Sequence, residues 1–235
     1  MYKRQTDECS LAGVVKAHVA TFNRNIKLII GSEFKIDSHK VIVLVTNRNS
    51  YSKLSSLITL ARRRSKKGSY QIKWSDLKFN NDGLLIIWLP CGDFKKDQLI
   101  ISQLHDWFER RLWIGFHNLL NGTETSHLSY LQKLSLLWKV NVVACGDVHM
   151  HKKDRQPLQD VLTAIKQKCS IMELGKSRYP NSERYLRKIE YLKNIYPEEL
   201  MRETINISNL CNFSLNELRY EYPIEVVPKN LTSKE

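Results

Sequence analysis

The chain has no apolar run approaching the roughly 18 residues that a membrane-crossing helix needs. Its opening, Met1 to Cys9, lacks the apolar stretch of a secretory signal. There is no CxxC pair. The five cysteines, Cys9, Cys91, Cys145, Cys169 and Cys211, are odd in number and widely spaced. That excludes a disulfide scaffold and leaves free thiols in a reducing compartment as the simplest reading. No phosphate loop, GxSxG or HExxH occurs, nor any internal repeat or low-complexity tract. Acidic residues are in deficit, 24 Asp+Glu against 37 Lys+Arg, for a net charge of +13. The excess favours an anionic partner, nucleic acid being the commonest, although a merely soluble basic surface accounts for it equally. What is present is ordinary for a folded protein. With 42% hydrophobic and 26% charged residues in 235, disorder and fibrous classes are excluded. The length suits one large domain or one and a half small ones.

Short β-branched runs alternate with helical periodicity through the first two thirds. Lys27–Ile30, Val41–Val45, Leu84–Leu89, Leu112–Phe116 and Val140–Ala144 read as buried strands. Between them, Leu54, Leu57, Ile58 and Ala61 recur at helical spacing, as do Ile100, Leu104, Trp107 and Phe108, and Leu128, Leu131, Leu134 and Trp138. Ser69 to Asp82 reads as polar and irregular. Such alternation predicts a parallel sheet or barrel with crossover helices. After residues 151–157 strands become scarce. Leu158, Val161, Leu162 and Ile165 predict a helix opened near Pro157. Asn181-Ser182 can cap a short helix over Glu183 to Lys188, and Pro197 opens a helix from Glu198 to about Leu210. The tail from Tyr222, with Pro223 and Pro228, reads as extended.

In parallel α/β folds, chemistry gathers where strands end at their carboxyl side. Those places deliver Glu33, Cys91, His117 and the string Cys145-Gly-Asp147-Val-His149-Met-His151. Each of these side-chain types can bind a divalent metal. In an extended segment Asp147 and His149 point to one side and could hold a metal that activates water against a phosphate ester. Each also has a plain structural account. Glu33 could be a cap, Cys91 and Cys145 small buried residues, and His39 and His117 local hydrogen-bonding groups. The run Arg62-Arg63-Arg64-Ser65-Lys66-Lys67 is either a solvated helix end or a set of phosphate contacts.

Several blocks resemble one family. Thr6-Asp-Glu-Cys-Ser-Leu-Ala-Gly13, Lys27-Leu-Ile-Ile-Gly-Ser-Glu-Phe34, Gly146-Asp-Val-His-Met-His151 and Leu218-Arg-Tyr-Glu-Tyr-Pro223 are similar to the error-prone branch of bacterial C-family DNA polymerase III alpha-type subunits. The resemblance covers about Thr6 to Pro228. It implies an α/β fold: a truncated, distorted β/α barrel of the polymerase-and-histidinol-phosphatase (PHP) type over residues 6–156, then a mainly helical segment over 157–235 that opens the polymerase core. Residues 1–5 stand as an unmatched leader, and the family's opening strand with its His-x-His pair would lie before Thr6.

By the same resemblance Glu33, His39, Cys91, Asp147 and His149 fall on metal-ligand positions. Glu8 stands where metal-binding members have histidine, and His117 stands where an acid is expected. The site is thus degenerate, with Zn2+ or Mn2+ as the ions it would take. The basic residues Arg62, Arg63, Arg64, Lys66 and Lys67 are the candidate nucleic-acid contacts. The family implies damage-tolerant, DNA-templated DNA synthesis in the bacterial cytoplasm, with Mg2+ held by acids beyond this chain. Its expected partners are DNA, a sliding clamp and mutagenesis accessory proteins, and no membrane. The fragment alone would be inactive. The alternatives are a metal-dependent phosphoesterase or 3′–5′ exonuclease of the PHP superfamily, and a non-catalytic DNA-binding scaffold.

Overall fold

A computed structural model describes residues 2–79 and 81–219 of the chain. Six strands form one sheet in sequential order: β1 (Tyr2–Glu8), β2 (Lys27–Ile36), β3 (His39–Val45), β4 (Leu84–Leu89), β5 (Leu112–His117) and β6 (Val142–Cys145). β3 runs antiparallel to both of its neighbours, while every other pairing is parallel. The reversal places the start of β3 at the carboxyl rim of the sheet, with His39 opposite Ile36 and Lys40 opposite Leu89. β1 and β6 are the edges, so the barrel is open.

Helices α1 (Val14–Thr21), α2 (Arg48–Arg63), α3 (Trp74–Phe79), α4 (Phe94–Phe108) and α5 (Glu124–Trp138) interleave with the strands. They are followed by α6 (Gln156–Gln167), α7 (Ile189–Ile195) and α8 (Glu198–Leu210). Side chains alternate across a strand, and here both faces are apolar. One face carries Phe34, Val43, Ile86, Trp88 and Ile114 and packs on Leu54 and Leu57 of α2, Leu104 and Phe108 of α4, and Leu131 of α5. The other carries Ile29, Ile42, Leu44, Ile87, Trp113 and Val143 and is met by Ile207 of α8 and by Cys211. β4 is therefore buried at every position, as its unbroken run Leu-Leu-Ile-Ile-Trp-Leu requires. α8 covers the face that a closed barrel would enclose.

Local chemistry sets the helix starts. Asn47 caps α2 by accepting from Ser50 N, and the Ser50 hydroxyl accepts in return from Asn47 N. Asp93 caps α4 through Lys95 N and Lys96 N.

Five segments depart from the sequence expectations. Residues 2–5, expected as a leader, are part of edge strand β1 and pair with β2. β2 runs on past Ile30 to Ile36, so Glu33 lies inside a strand and not after one; cross-strand pairing of Glu33 with Ile42 and of Ile36 with His39 extends it, and Asp37 turns the hairpin at φ +53°. The irregular stretch Ser69–Asp82 contains α3, whose first turn is held by Asp76, which accepts from Lys73 N and pairs with Arg64. Glu183 to Lys188 is not a helix: Tyr185 bridges to Met150, and buried Arg187 donates to Asn118 O, tertiary bonds that compete with a helical turn. α6 forms where expected, yet Leu158, Leu162 and Ile165 are exposed.

The expected boundary at 156–157 is no gap in packing. Tyr196, Leu200 and Phe213 belong to the main core, and Lys27 Nζ donates to Ser208 O at 2.6 Å. The extended tail expected from Tyr222 lies outside the described residues.

Candidate functional site

The candidate residues separate into two groups, and the sheet is the divider. Glu33 and Lys40 share the parity of Ile29 and Ile42, so they project from the inner face that α8 covers. His39 shares the parity of Val41 and Val43 and projects from the helix-packed face.

On the inner face, an ion-pair network forms at the carboxyl rim. Lys40 Nζ lies 3.1 Å from Glu33 Oε1 and 3.7 Å from Asp147 Oδ1. Asp147 follows β6 through Gly146 and takes a left-handed backbone at φ +44°, an uncommon conformation for a non-glycine residue. Its carboxylate accepts from Arg184 Nε at 2.8 Å and meets His149 Nε2 at 3.3 Å. Arg184 in turn stacks over Tyr179, 4.2 Å from the ring centroid, and the His149 ring lies 5.3 Å from that of Tyr179. Backbone bonds fix the string, because His149 N and Met150 N both donate to Arg184 O.

Asp147 and His149 thus converge, as their spacing suggests, although the backbone between them is not extended. His151 is exposed. Burial alone would raise the Asp147 pKa. The His149 hydrogen bond and the charges of His117, Lys40 and Arg184 outweigh it and hold the carboxyl well below the usual range. Burial also lowers the Lys40 pKa, but Asp147 and Glu33 reverse that and raise it. His117, at the end of β5, is pushed down to about 4, chiefly by burial, with Lys40, Arg184 and His127 adding to the fall against Asp147. At neutral pH Lys40 and Asp147 are therefore both charged, beside the neutral imidazole of His117.

On the opposite face, His39 Nε2 lies 2.9 Å from Asp97 Oδ1. Asp97, on α4, is fully buried and also accepts from Cys91 N, Gly92 N and the Tyr130 hydroxyl. Cys91 is exposed above them. His39 and Cys91 therefore do not join Glu33, Asp147 and His149. Glu8 lies opposite Glu33 in the β1–β2 pairing, but its carboxylate is engaged by other groups, bonded to Tyr70 OH at 3.0 Å and paired with Lys35 and, more loosely, Lys166.

The basic run is divided by use. Arg62 donates to the carbonyls of Glu8, Cys9 and Ser69, which ties α2 to β1, and Arg64 is paired with Asp76. Arg63, Lys66 and Lys67 are exposed. Sequence reading missed four residues. Lys40 could have been found from its alternation with His39 on β3, and Asp97 from its place one turn into a helix capped by Asp93. Arg184 and Tyr130 gave no local signal.

No protein-family model matches the chain. It is 45% identical over 228 residues to an error-prone DNA polymerase of Saccharophagus degradans, covering 97% of this chain and 22% of that one. It is 46% identical over 230 residues to an error-prone DNA polymerase of Methylococcus capsulatus, with the same coverage. With that of Pseudomonas aeruginosa it shares 41% over 224 residues, 95% of this chain and 21% of the relative. The chain is thus similar over nearly its whole length to error-prone DNA polymerases, and it spans about 22% of the length of these relatives. Among solved structures, a chain from Bifidobacterium adolescentis described as a metal-dependent phosphoesterase is 13% identical. Its TM-score is 0.42, over 61% of this chain and 76% of that one.

Proposed function

We propose that this chain is the amino-terminal part of an error-prone DNA polymerase and serves there as a non-hydrolytic platform beside the polymerising core. The observation that carries this reading is the 45% identity over 97% of the chain to a protein of that name. The parent would carry out DNA-templated, damage-tolerant DNA synthesis in the bacterial cytoplasm. Its Mg2+ ligands would lie in sequence beyond this chain, and a sliding clamp and mutagenesis accessory proteins would be its partners.

The inner-face network supports a platform more than a hydrolase. Metal-dependent phosphoester hydrolysis requires carboxylates and imidazoles free to hold the ion and its water. Here the ammonium of Lys40 lies between Glu33 and Asp147, and the guanidinium of Arg184 takes the other oxygen of Asp147. Two fixed cations satisfy the carboxylates that a metal would need, so these residues do not fit a resident ion. The network instead joins β2, β3, the end of β6 and the segment that holds Arg184. A nearly buried carboxylate is retained here because it is paired.

The test is an incubation of the purified chain with a 5′-labelled primer–template, deoxynucleotides and either Mg2+ or Mn2+. The primer should keep its length. Shortening that is lost in Asp147→Asn would establish the exonuclease alternative instead. Fusing the chain ahead of the remaining part of the Saccharophagus relative should give primer extension across a lesion; a soluble fusion that extends no primer would count against the assignment.

A further inference from the structure

We propose that the outward face of α6 is the surface on which the remaining length of the parent polymerase docks, through the stripe Leu158, Val161, Leu162 and Ile165. The inference rests on reading this chain as the amino-terminal part of such a protein. The four residues recur at i, i+3, i+4 and i+7, the pattern of a helix that lays one apolar side on a core. In this chain that side faces water. Leu158 is 50% exposed, Leu162 52% and Ile165 68%, and Val161 is exposed beside them. The side of α6 turned to the body of the protein carries Asp160 and Ala164 instead. Asp160 is buried there in an ion pair, its Oδ2 2.8 Å from Arg178 Nε, which is how a buried carboxylate is kept. A polar tie and a small side chain therefore hold α6 in place, and its apolar stripe adds little to that contact.

Scattered exposed apolar side chains are ordinary. A row of them along one helix face, bordered by charge, marks an interaction surface, and anchors at this spacing are what a groove on a partner receives. The sheet does not need α6 as a cover, since α2, α4 and α5 pack on one of its faces and α8 on the other. Ile171 and Met172, in the turn that follows α6, are exposed as well.

Charge decides between occupants. Exposed Lys152 and Arg155 precede the stripe, and exposed Lys166 and Lys168 follow it. In a two-fold pair of copies, antiparallel α6 helices would set the cations before one stripe against those after the other. Each body also carries +13, and like charges so placed oppose association. A nucleic-acid backbone would meet the cations but leave the apolar row in water. An apolar surface with acidic borders satisfies both features. The chain spans 22% of the relative from Saccharophagus, so most of the parent lies outside it. That remainder shares the polypeptide, and tethering raises its effective concentration at α6 above that of any free partner.

The test compares the whole chain alone with the same chain fused ahead of the remaining part of the Saccharophagus relative. Hydrogen exchange at the α6 amides, 158–167, should be slower by about tenfold or more in the fusion, because each opening must also undock the helix. Leu162→Lys with Ile165→Lys should leave the urea midpoint of the chain alone unchanged, since both side chains already face water. In the fusion the same pair should restore fast exchange, whereas Leu162→Met with Ile165→Val, which keeps the stripe apolar, should retain the slow exchange. A fusion that extends primers yet exchanges at α6 as fast as the chain alone would overturn the docking surface and leave the parentage standing. A fusion that extends none counts against the parentage, and against this inference with it. Slow exchange kept by the lysine pair in the fusion would overturn the inference, as would a lower midpoint for that pair in the chain alone, which would turn the stripe inward. A chain that sediments as a dimer, dissolved by the lysine pair, would assign the face to a second copy instead.

Discussion

His117 and Asp147 sit close enough to sense each other's charge, yet they titrate in different windows. An unfolded histidine titrates at about 6.5, whereas folded His117 is pushed down to about 4 by burial and by the cations of Lys40, Arg184 and His127, with Asp147 opposing. Between those values the unfolded chain binds a proton that the folded chain does not, so stability rises with pH. The contribution of His117 is full above about pH 6.5 and is lost as pH falls toward 4. Asp147 is also depressed, so its contribution is present above the unfolded carboxyl pKa of about 3.9 and is lost only below it. Urea midpoints measured from pH 8 to pH 3 should therefore decline in two stages. His117→Gln should flatten the first stage and leave the second. A variant that declines like the unmodified chain between pH 6.5 and 4 would show that this imidazole is not the group responsible. These residues were only partly legible in the sequence. Strand-end logic pointed to Glu33, His117, Asp147 and His149, although β2 continues past Glu33 to Ile36. It could not tell which face of the sheet His39 would take, because that depends on where the hairpin turns.

At the scale of elements, the β2–β3 hairpin governs that choice, and Gly31 is its tightest point. A Cβ built there would lie 2.5 Å from the carbonyl oxygen of Val43 and 2.6 Å from Leu44 Cδ2. The first neighbour is backbone in a paired strand and cannot rotate away. Gly31→Ala should thus cost about 1–3 kcal/mol, in the range of overpacked cores, read as a lower urea midpoint with an unchanged slope. An unchanged midpoint would mean that the strands separate more freely than their pairing indicates. The hairpin also shows why some elements were readable and others were not. β4 and the helices α2, α4 and α5 carry their burial in their own periodicity, and the sequence placed them within a few residues. The extension of β2 to Ile36 comes from pairing with β3, and α3 comes from the tie of Asp76 to Arg64. The loss of a helix over 183–188 comes from the bridge between Tyr185 and Met150. The last rests on a residue far along the chain, while the first two rest on pairing between neighbouring segments, which the periodicity of a single segment does not encode.

For the whole molecule, the net charge of +13 acts through the cations that are not already engaged, and the basic run from Arg62 holds both kinds. Arg62 is committed to the carbonyls of Glu8, Cys9 and Ser69, and Arg64 to Asp76, so neither is available to a phosphate without loss of structure. Arg63, Lys66 and Lys67 remain at the surface. Arg63 also lines a groove of about 820 Å3 along α2, beside the hydroxyls of Ser52, Ser55 and Thr59. Hydroxyls and cations along one helix suit a sugar–phosphate backbone, which they would hold without reading its sequence. Each phosphate neutralised on duplex DNA contributes about 0.9 to the slope of log affinity against log salt. Replacing Arg63, Lys66 and Lys67 together by glutamine should therefore weaken duplex binding uniformly across sequences and reduce that slope by about 2–3. The melt should be unchanged, because none of the three is buried. Arg62→Gln should behave differently, lowering stability through the loss of its bonds between α2 and β1. Fluorescence anisotropy at a series of salt concentrations reads the slope directly. A triple variant with the slope of the unmodified chain would move the phosphate contacts to another surface.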